Sequence, residues 1–178
     1  LENNTQRLDS ISPIVELLYD EPISYYKDSG VYKDENVNWV VYSLYQHNQR
    51  PEFEKSIDGE INVGLFHGPI QGLKTDLGFD FGHEAYDTDK FLGLDVVLCG
   101  DIHKRSEFLI PGGKKGYMIG STIQQGFGEN VFKHGYGVYE IDSDNYSYVD
   151  LKNPKPFLSF KISSFKLSSF ELSSILIE

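Results

Sequence analysis

The sequence predicts an α/β domain, and three observations point there. Two strand-length runs, INVGLF (61–66) and DVVLCG (95–100), are apolar without clean alternation, as strands covered on both faces are. The chain carries 12 Tyr and 12 Phe with many Val and Ile, a composition that favours sheet over helix. A helix-start signal, Ser12-Pro13, opens a short amphipathic stretch near the N-terminus. A length of 178 residues suits one domain, or one domain and the start of another.

The elements follow in chain order. SISPIVELLYDE reads as a helix with Ser12 as N-cap, Pro13 in the first helical position, and Ile14, Leu17 and Leu18 on its apolar face. PISYY, GVYKD and VNWVVYSLY read as successive strands, with a turn at Asp28-Ser29-Gly30. NQRPEFEKS is polar, a loop or a single helical turn. INVGLF is a buried strand that delivers His67 at its carboxyl end. The Gly- and Asp-rich stretch from Gly68 to Asp87 reads as a long loop, and TDKFLGL as a short helix capped by Asp87 or Thr88. DVVLCG delivers Asp101 and His103. EFLI, a turn at PGGKK, and GYMIG form a hairpin, and YGVYEID with YSYVDL forms another around Ser143-Asp144-Asn145. Between them STIQQGFGENVFKHG is loop-like.

NPKPF (153–157) breaks the sheet pattern and divides the chain into 1–153 and 154–178. From Phe160 the tail repeats every five residues (FKISS, FKLSS, FELSS), a period that fits neither helix nor strand. A short β-helix and a slipped or duplicated sequence end are both open, and the tail carries no functional reading.

Net charge is −11, which argues against a broad basic face for nucleic acid. A local cluster around Lys104, Arg105, Lys114 and Lys115, or bound cations, can still reverse the field in a cleft. Cys99 is the one cysteine; it excludes an intrachain disulfide and reads as a small buried apolar residue in a reducing compartment, hence a cytoplasmic chain. The apolar runs are only a few residues long, too short to span a membrane. No signal peptide is visible, and a first residue of Leu reads as a fragment.

His67 and the Asp101/His103 pair share a placement, each following a buried strand that runs into a Gly-containing turn. Ligands in open α/β sheets sit outside the carboxyl ends of strands. Two imidazoles and a carboxylate converging there suit Mn2+, Zn2+ or Fe. Positions 101 and 103 of an extended segment point the same way, and Gly68 and Gly100 let backbone approach a phosphate. A histidine at a strand end is more often a hydrogen-bonded structural residue, and an Asp there often caps a turn. His47, His83 and His134 lie in polar stretches and read as surface residues. Lys104 and Arg105 read as a solvated pair before a phosphate grip. The residues alone therefore reach as far as a metal site in an α/β domain.

The order FHG, then CGDIHK, then GSTIQQGFGE and HGYGVYEID resembles the calcineurin-like metallophosphoesterases, and more narrowly the SbcD-type nuclease subunits of double-strand-break repair, including those of large phages. The similarity runs from Leu1 to about Phe157. It implies a two-sheet sandwich flanked by helices, incomplete on its N-terminal side, with a capping region beginning near residue 154. His67 matches the family's His-Gly motif. His103 matches the last His of its Gly-His-x-His motif, and Asp101 stands where that motif's first His is usual. The resemblance implies that His67 and Asp101 bind one divalent cation and His103 another, with Mn2+ expected and Mg2+ an alternative. Gly68, Lys104 and Arg105 are weaker phosphate or DNA contacts. The family's early motifs (Asp-x-His, Gly-Asp-x-x-Asp, Gly-Asn-His-Asp) do not occur in these residues, so the resemblance implies a chain that begins just after them and holds no catalytic residue of its own. It implies DNA and an SbcC-type coiled-coil ATPase as partners, a homodimer, and a bacterial or phage-infected cell as the setting. The alternatives are a calcineurin-like phosphatase or phosphodiesterase on a smaller substrate, and a binding module without catalysis.

Overall fold

The structure is a computed structural model that describes residues 11–18, 20–21, 23–46 and 60–159. The expected loop at 48–56, His47 and the repeating tail from Phe160 lie outside the described residues. The chain is α/β, with a mixed six-stranded sheet, a separate two-stranded hairpin and few helices. None of those helices is long and apolar enough to cross a membrane.

The short helix α1 (Ser12–Leu17) has Ile11, not Ser12, at its N-cap, and no side chain caps it. Ser12 already lies within the helical turn, because helical φ and ψ begin one residue earlier than the Ser-Pro signal implies. Its expected apolar face is largely exposed, with Leu17 at 81%. PISYY is not a strand: its described residues, 23–26, join no ladder. That segment is instead held by side chains. Tyr26 stacks on Tyr32 at 4.2 Å, and Ser43 Oγ donates to the Lys27 carbonyl. The tight turn consequently falls at Glu35-Asn36, between β1 (Gly30–Asp34) and β2 (Val37–Tyr42), which pair antiparallel. β2 ends at Tyr42 because Ser43 Oγ accepts the Tyr45 N–H and starts a 3-10 turn over Leu44–Gln46.

β3 (Ile61–His67), β4 (Val96–Gly100) and β6 (Lys114–Met118) run parallel to β2 and to one another, and β5 (Ser106–Ile110) closes the edge antiparallel to β6. The order is β1-β2-β3-β4-β6-β5. Lys114 and Lys115 belong to β6, so the turn before it is shorter than PGGKK. One register row reads Val40, Gly64, Val97, Gly116 across four neighbouring strands. A Cβ at Gly64 would lie 2.5 Å from Leu94, and one at Gly116 would lie 2.3 Å from the Phe108 ring. The glycines make room for those side chains, and this face buries Ile70, Phe91, Leu94 and Met118.

The stretch 68–87 is a long loop, as expected, with its two ends packed on that face and its middle exposed. An isolated bridge pairs Ile70 with Tyr86, and Ile70 is fully buried. The following Thr88–Phe91 is a 3-10 turn, with the Asp87 carboxylate accepting the Asp89 N–H at 3.0 Å. The opposite face packs on the hairpin of β7 (Gly135–Glu140) and β8 (Asn145–Asp150), where Tyr146 stacks on Tyr117 at 3.9 Å. Phe157, beyond β8, bonds through both its N–H and its carbonyl to Gln124.

Candidate metal centre

Parallel register builds one end of the sheet into a site. His67 and Gly100 are the last residues of β3 and β4 and stand opposite each other in the ladder. A Cβ at position 100 would lie 2.9 Å from His67 Nδ1, so the absent side chain lets the imidazole lie across the end of β4. The next residue, Asp101, turns its carboxylate to His67, with Oδ1 3.7 Å from Nε2. Both side chains remain open, 50% and 34% exposed. The backbone of Asp101 has φ 111°, a region that L residues rarely adopt. Among the described residues its carboxylate caps no backbone N–H, so turn capping does not account for that conformation.

His103, beyond the buried Ile102, is held differently. Its Nδ1 lies 2.8 Å from Oε1 of Glu129, and the ring is 40% exposed. The other carboxylate oxygen of Glu129 accepts the Gln125 N–H at 2.8 Å, and the Glu129 carbonyl accepts from Gln124. Burial alone raises the Glu129 carboxyl, but the bonds from His103 and Gln125 outweigh it and hold the group below its ordinary value. Sequence reasoning missed Glu129. It occurs in the stretch GSTIQQGFGE, but nothing in local periodicity ties it to a histidine 26 residues earlier.

The three expected ligands thus fall into two separate pairs, His67 with Asp101, and His103 with Glu129, which was not expected. Among the described residues no three His, Cys, Asp or Glu side chains group closely enough to hold a metal ion. Each pair offers donors of the kind that Mn2+, Mg2+ or Zn2+ takes: a carboxylate and an imidazole in the first, an outward imidazole nitrogen in the second. The residues fit divalent cations as partial ligand sets.

Gly68 lies at this end, its N–H donating to the Gly100 carbonyl at 3.2 Å. Lys104, which follows His103 in the chain, is exposed. Arg105 is not a solvated residue: its side chain is 14% exposed, pairs with Asp150 and stacks over Tyr148 at 4.6 Å, clamping the β7–β8 hairpin to the sheet. Nor do the four basic residues cluster. Lys114 opens β6, parallel to β4, so it falls at the opposite end of the sheet, 3.3 Å from Asp95. Lys115 pairs with Glu107 at 3.4 Å.

His83 is exposed in a 3-10 turn, as expected, but His134 is not a surface residue. It is 1% exposed, with Nδ1 2.9 Å from Ser121 Oγ and Nε2 on the Asn130 carbonyl. Its polar neighbours Asn130 and Lys133 stay exposed, but the ring itself folds inward because both of its nitrogens find partners there. Cys99 is fully buried, and burial pushes its thiol well above the ordinary range, which leaves it inert as a nucleophile.

Fold and site together define an α/β protein with a His–Asp pair at the carboxyl end of its central parallel strands. No protein-family model matches the chain, and no solved structure does. Over 169 residues, 90% of the chain, it is 29% identical to a protein of Acanthamoeba polyphaga mimivirus titled "Uncharacterized protein R555". The chain spans 12% of that protein's length.

Proposed function

We propose that the chain contributes metal-binding residues to a metal-dependent DNA phosphodiester hydrolase with the metallophosphoesterase type of two-sheet fold. The observation that carries this reading is Asp101. A non-glycine residue at φ 111° stores backbone strain, and its carboxylate spends it on no structural bond but faces His67 at the open end of adjacent parallel strands. Strained, half-exposed donors at that position fit a site kept for a ligand.

His67 Nε2 and Asp101 would hold one cation, and His103 through Nε2 would contribute to another. Bound divalent cations polarise phosphoryl oxygens and lower the pKa of water. The chain's own residues orient these donors: Gly100 admits the His67 ring, and Glu129 fixes His103. Gly68 and Lys104 would serve as further contacts for phosphate. An SbcC-type ATPase and a second copy of the protein are proposed partners. With only these ligands, the chain by itself is expected to cleave DNA at no measurable rate.

One observation favours a smaller phosphodiester or phosphate monoester as substrate. Arg105, Lys114 and Lys115 each pair with a carboxylate, so among the described residues the expected basic cluster does not form, in a chain of net charge −11. Incubating the full-length protein and Mn2+ with linear DNA and, separately, with p-nitrophenyl esters distinguishes the two. Loss of cleavage in His103→Ala, with retention in His83→Ala, supports the ligand assignment. Equal activity of both variants refutes it.

A further inference from the structure

We propose that Glu129 is a positioning residue that sets the tautomer of His103, keeping Nδ1 protonated so that the Nε2 lone pair points outward for a divalent cation. The inference rests on the proposed metal site and deepens it. An ionised carboxylate only accepts hydrogen bonds, so the 2.8 Å contact from Glu129 Oε1 requires the proton on His103 Nδ1. Nε2 is then the ring nitrogen left with a lone pair. Metal-ligating histidines are characteristically held by such a carboxylate on the other nitrogen.

Both partners are held by bonds of their own. The His103 carbonyl accepts the Ser121 N–H at 3.2 Å, and Ser121 Oγ is bonded to the buried His134. His134 also reaches the carbonyl of Asn130, the residue after Glu129, while the Asn130 N–H donates to Asp76 at 3.0 Å. Gln124, only 2% exposed, donates to the Glu129 carbonyl, and the Gln125 N–H holds Oε2. His134 therefore links the backbone that carries His103 to the backbone that carries Glu129. That framework explains a buried histidine and serine far from any ligand role.

Glu129→Gln separates positioning from mere packing. The amide can keep both contacts, but only one way round. Its oxygen must accept the Gln125 N–H, so its NH2 faces His103 and must donate to Nδ1. The proton then moves to Nε2, with the fold intact and the wrong tautomer presented. Long-range 1H–15N correlation spectra of the 15N-labelled chain, above the pH at which the imidazoles titrate, read this directly without any metal. The expected result is Nδ1–H for His103 in the wild type and Nε2–H in Glu129→Gln. Mn2+ titration should broaden the His103 signals in the wild type and require about 10–100-fold more metal in the variant. Glu129→Ala, lacking any orienting group, should also weaken Mn2+ binding. A wild-type Nε2–H tautomer, or unchanged Mn2+ affinity in Glu129→Gln, overturns the positioning role. A wild-type Nδ1–H tautomer with no Mn2+ effect on His103 instead overturns the metal site on which that role rests.

Discussion

Asp101→Gly should make the protein more stable and its metal site worse. A non-glycine residue held at φ 111° costs about 1–3 kcal/mol, and glycine relieves that cost. Against it stand two losses. Glycine adds conformational freedom to the unfolded chain, about 0.5–1 kcal/mol. The His67–Asp101 contact, 3.7 Å long between half-exposed groups, is worth at most about 0.5 kcal/mol after solvent screening. The balance favours the variant by about 1 kcal/mol, a rise in melting temperature of about 2–4 °C for a domain of this size. Thermal melts followed by circular dichroism measure the first effect, and Mn2+ titration the second. Asp101→Asn separates the two, because Asn tolerates positive φ and keeps the shape while removing the charge. It should leave the melting temperature within a degree or so of wild type and still weaken Mn2+ binding. A glycine variant that melts lower than wild type refutes the strain reasoning. Unchanged Mn2+ affinity in both variants refutes the ligand role of Asp101.

Gly116→Ala should destabilise by about 1–3 kcal/mol, since its Cβ would press to 2.3 Å on the Phe108 ring and 2.8 Å on Val97; a neutral effect in urea unfolding would show that this face is loosely packed. His134→Ala should cost about 1–3 kcal/mol by emptying a buried site and leaving the buried Ser121 Oγ without its partner. Ser121→Ala should cost less, because His134 keeps its bond to Asn130, and the reverse order of midpoints would contradict the network. The Glu60 carboxyl is held below its ordinary value by the Lys33 and Asn38 bonds. Its stabilisation is therefore present above the ordinary value of 4.5 and is lost as pH falls through the lowered folded value. Glu60→Gln should flatten the acid limb of the stability curve between those two values and leave its slope at neutral pH unchanged.

The central strands could be read from the sequence because their cause is local. INVGLF and VVLCG are apolar over a strand's length and stop at residues that end strands, so β3 and β4 and the ends they present to His67 and Asp101 follow from a few neighbouring residues. The hairpin of β5 with β6 was legible for the same reason, as the Pro111-Gly112-Gly113 turn lies between its strands. PISYY failed because strand propensity does not itself supply a ladder partner: its described residues pair with no strand, and β1 remains the edge of the sheet. His134 was misjudged because polarity in sequence predicts exposure only when no partner meets the buried ring, and the buried Ser121 and the Asn130 carbonyl take both its nitrogens.

What the amino-acid sequence determined by itself was therefore the set of strands and the donors placed at their ends. Which donors meet was decided only in three dimensions. Asp101 meets His67 because two parallel strands chose a register that sets His67 against Gly100. His103 meets Glu129 across 26 residues, and Arg105 meets Asp150 across 45. No period or turn signal extends over such distances. The loop 119–134 brings Glu129 to His103 with Gln124, Ser121 and His134 buried and hydrogen-bonded, because a polar group left unpaired inside the protein is costly.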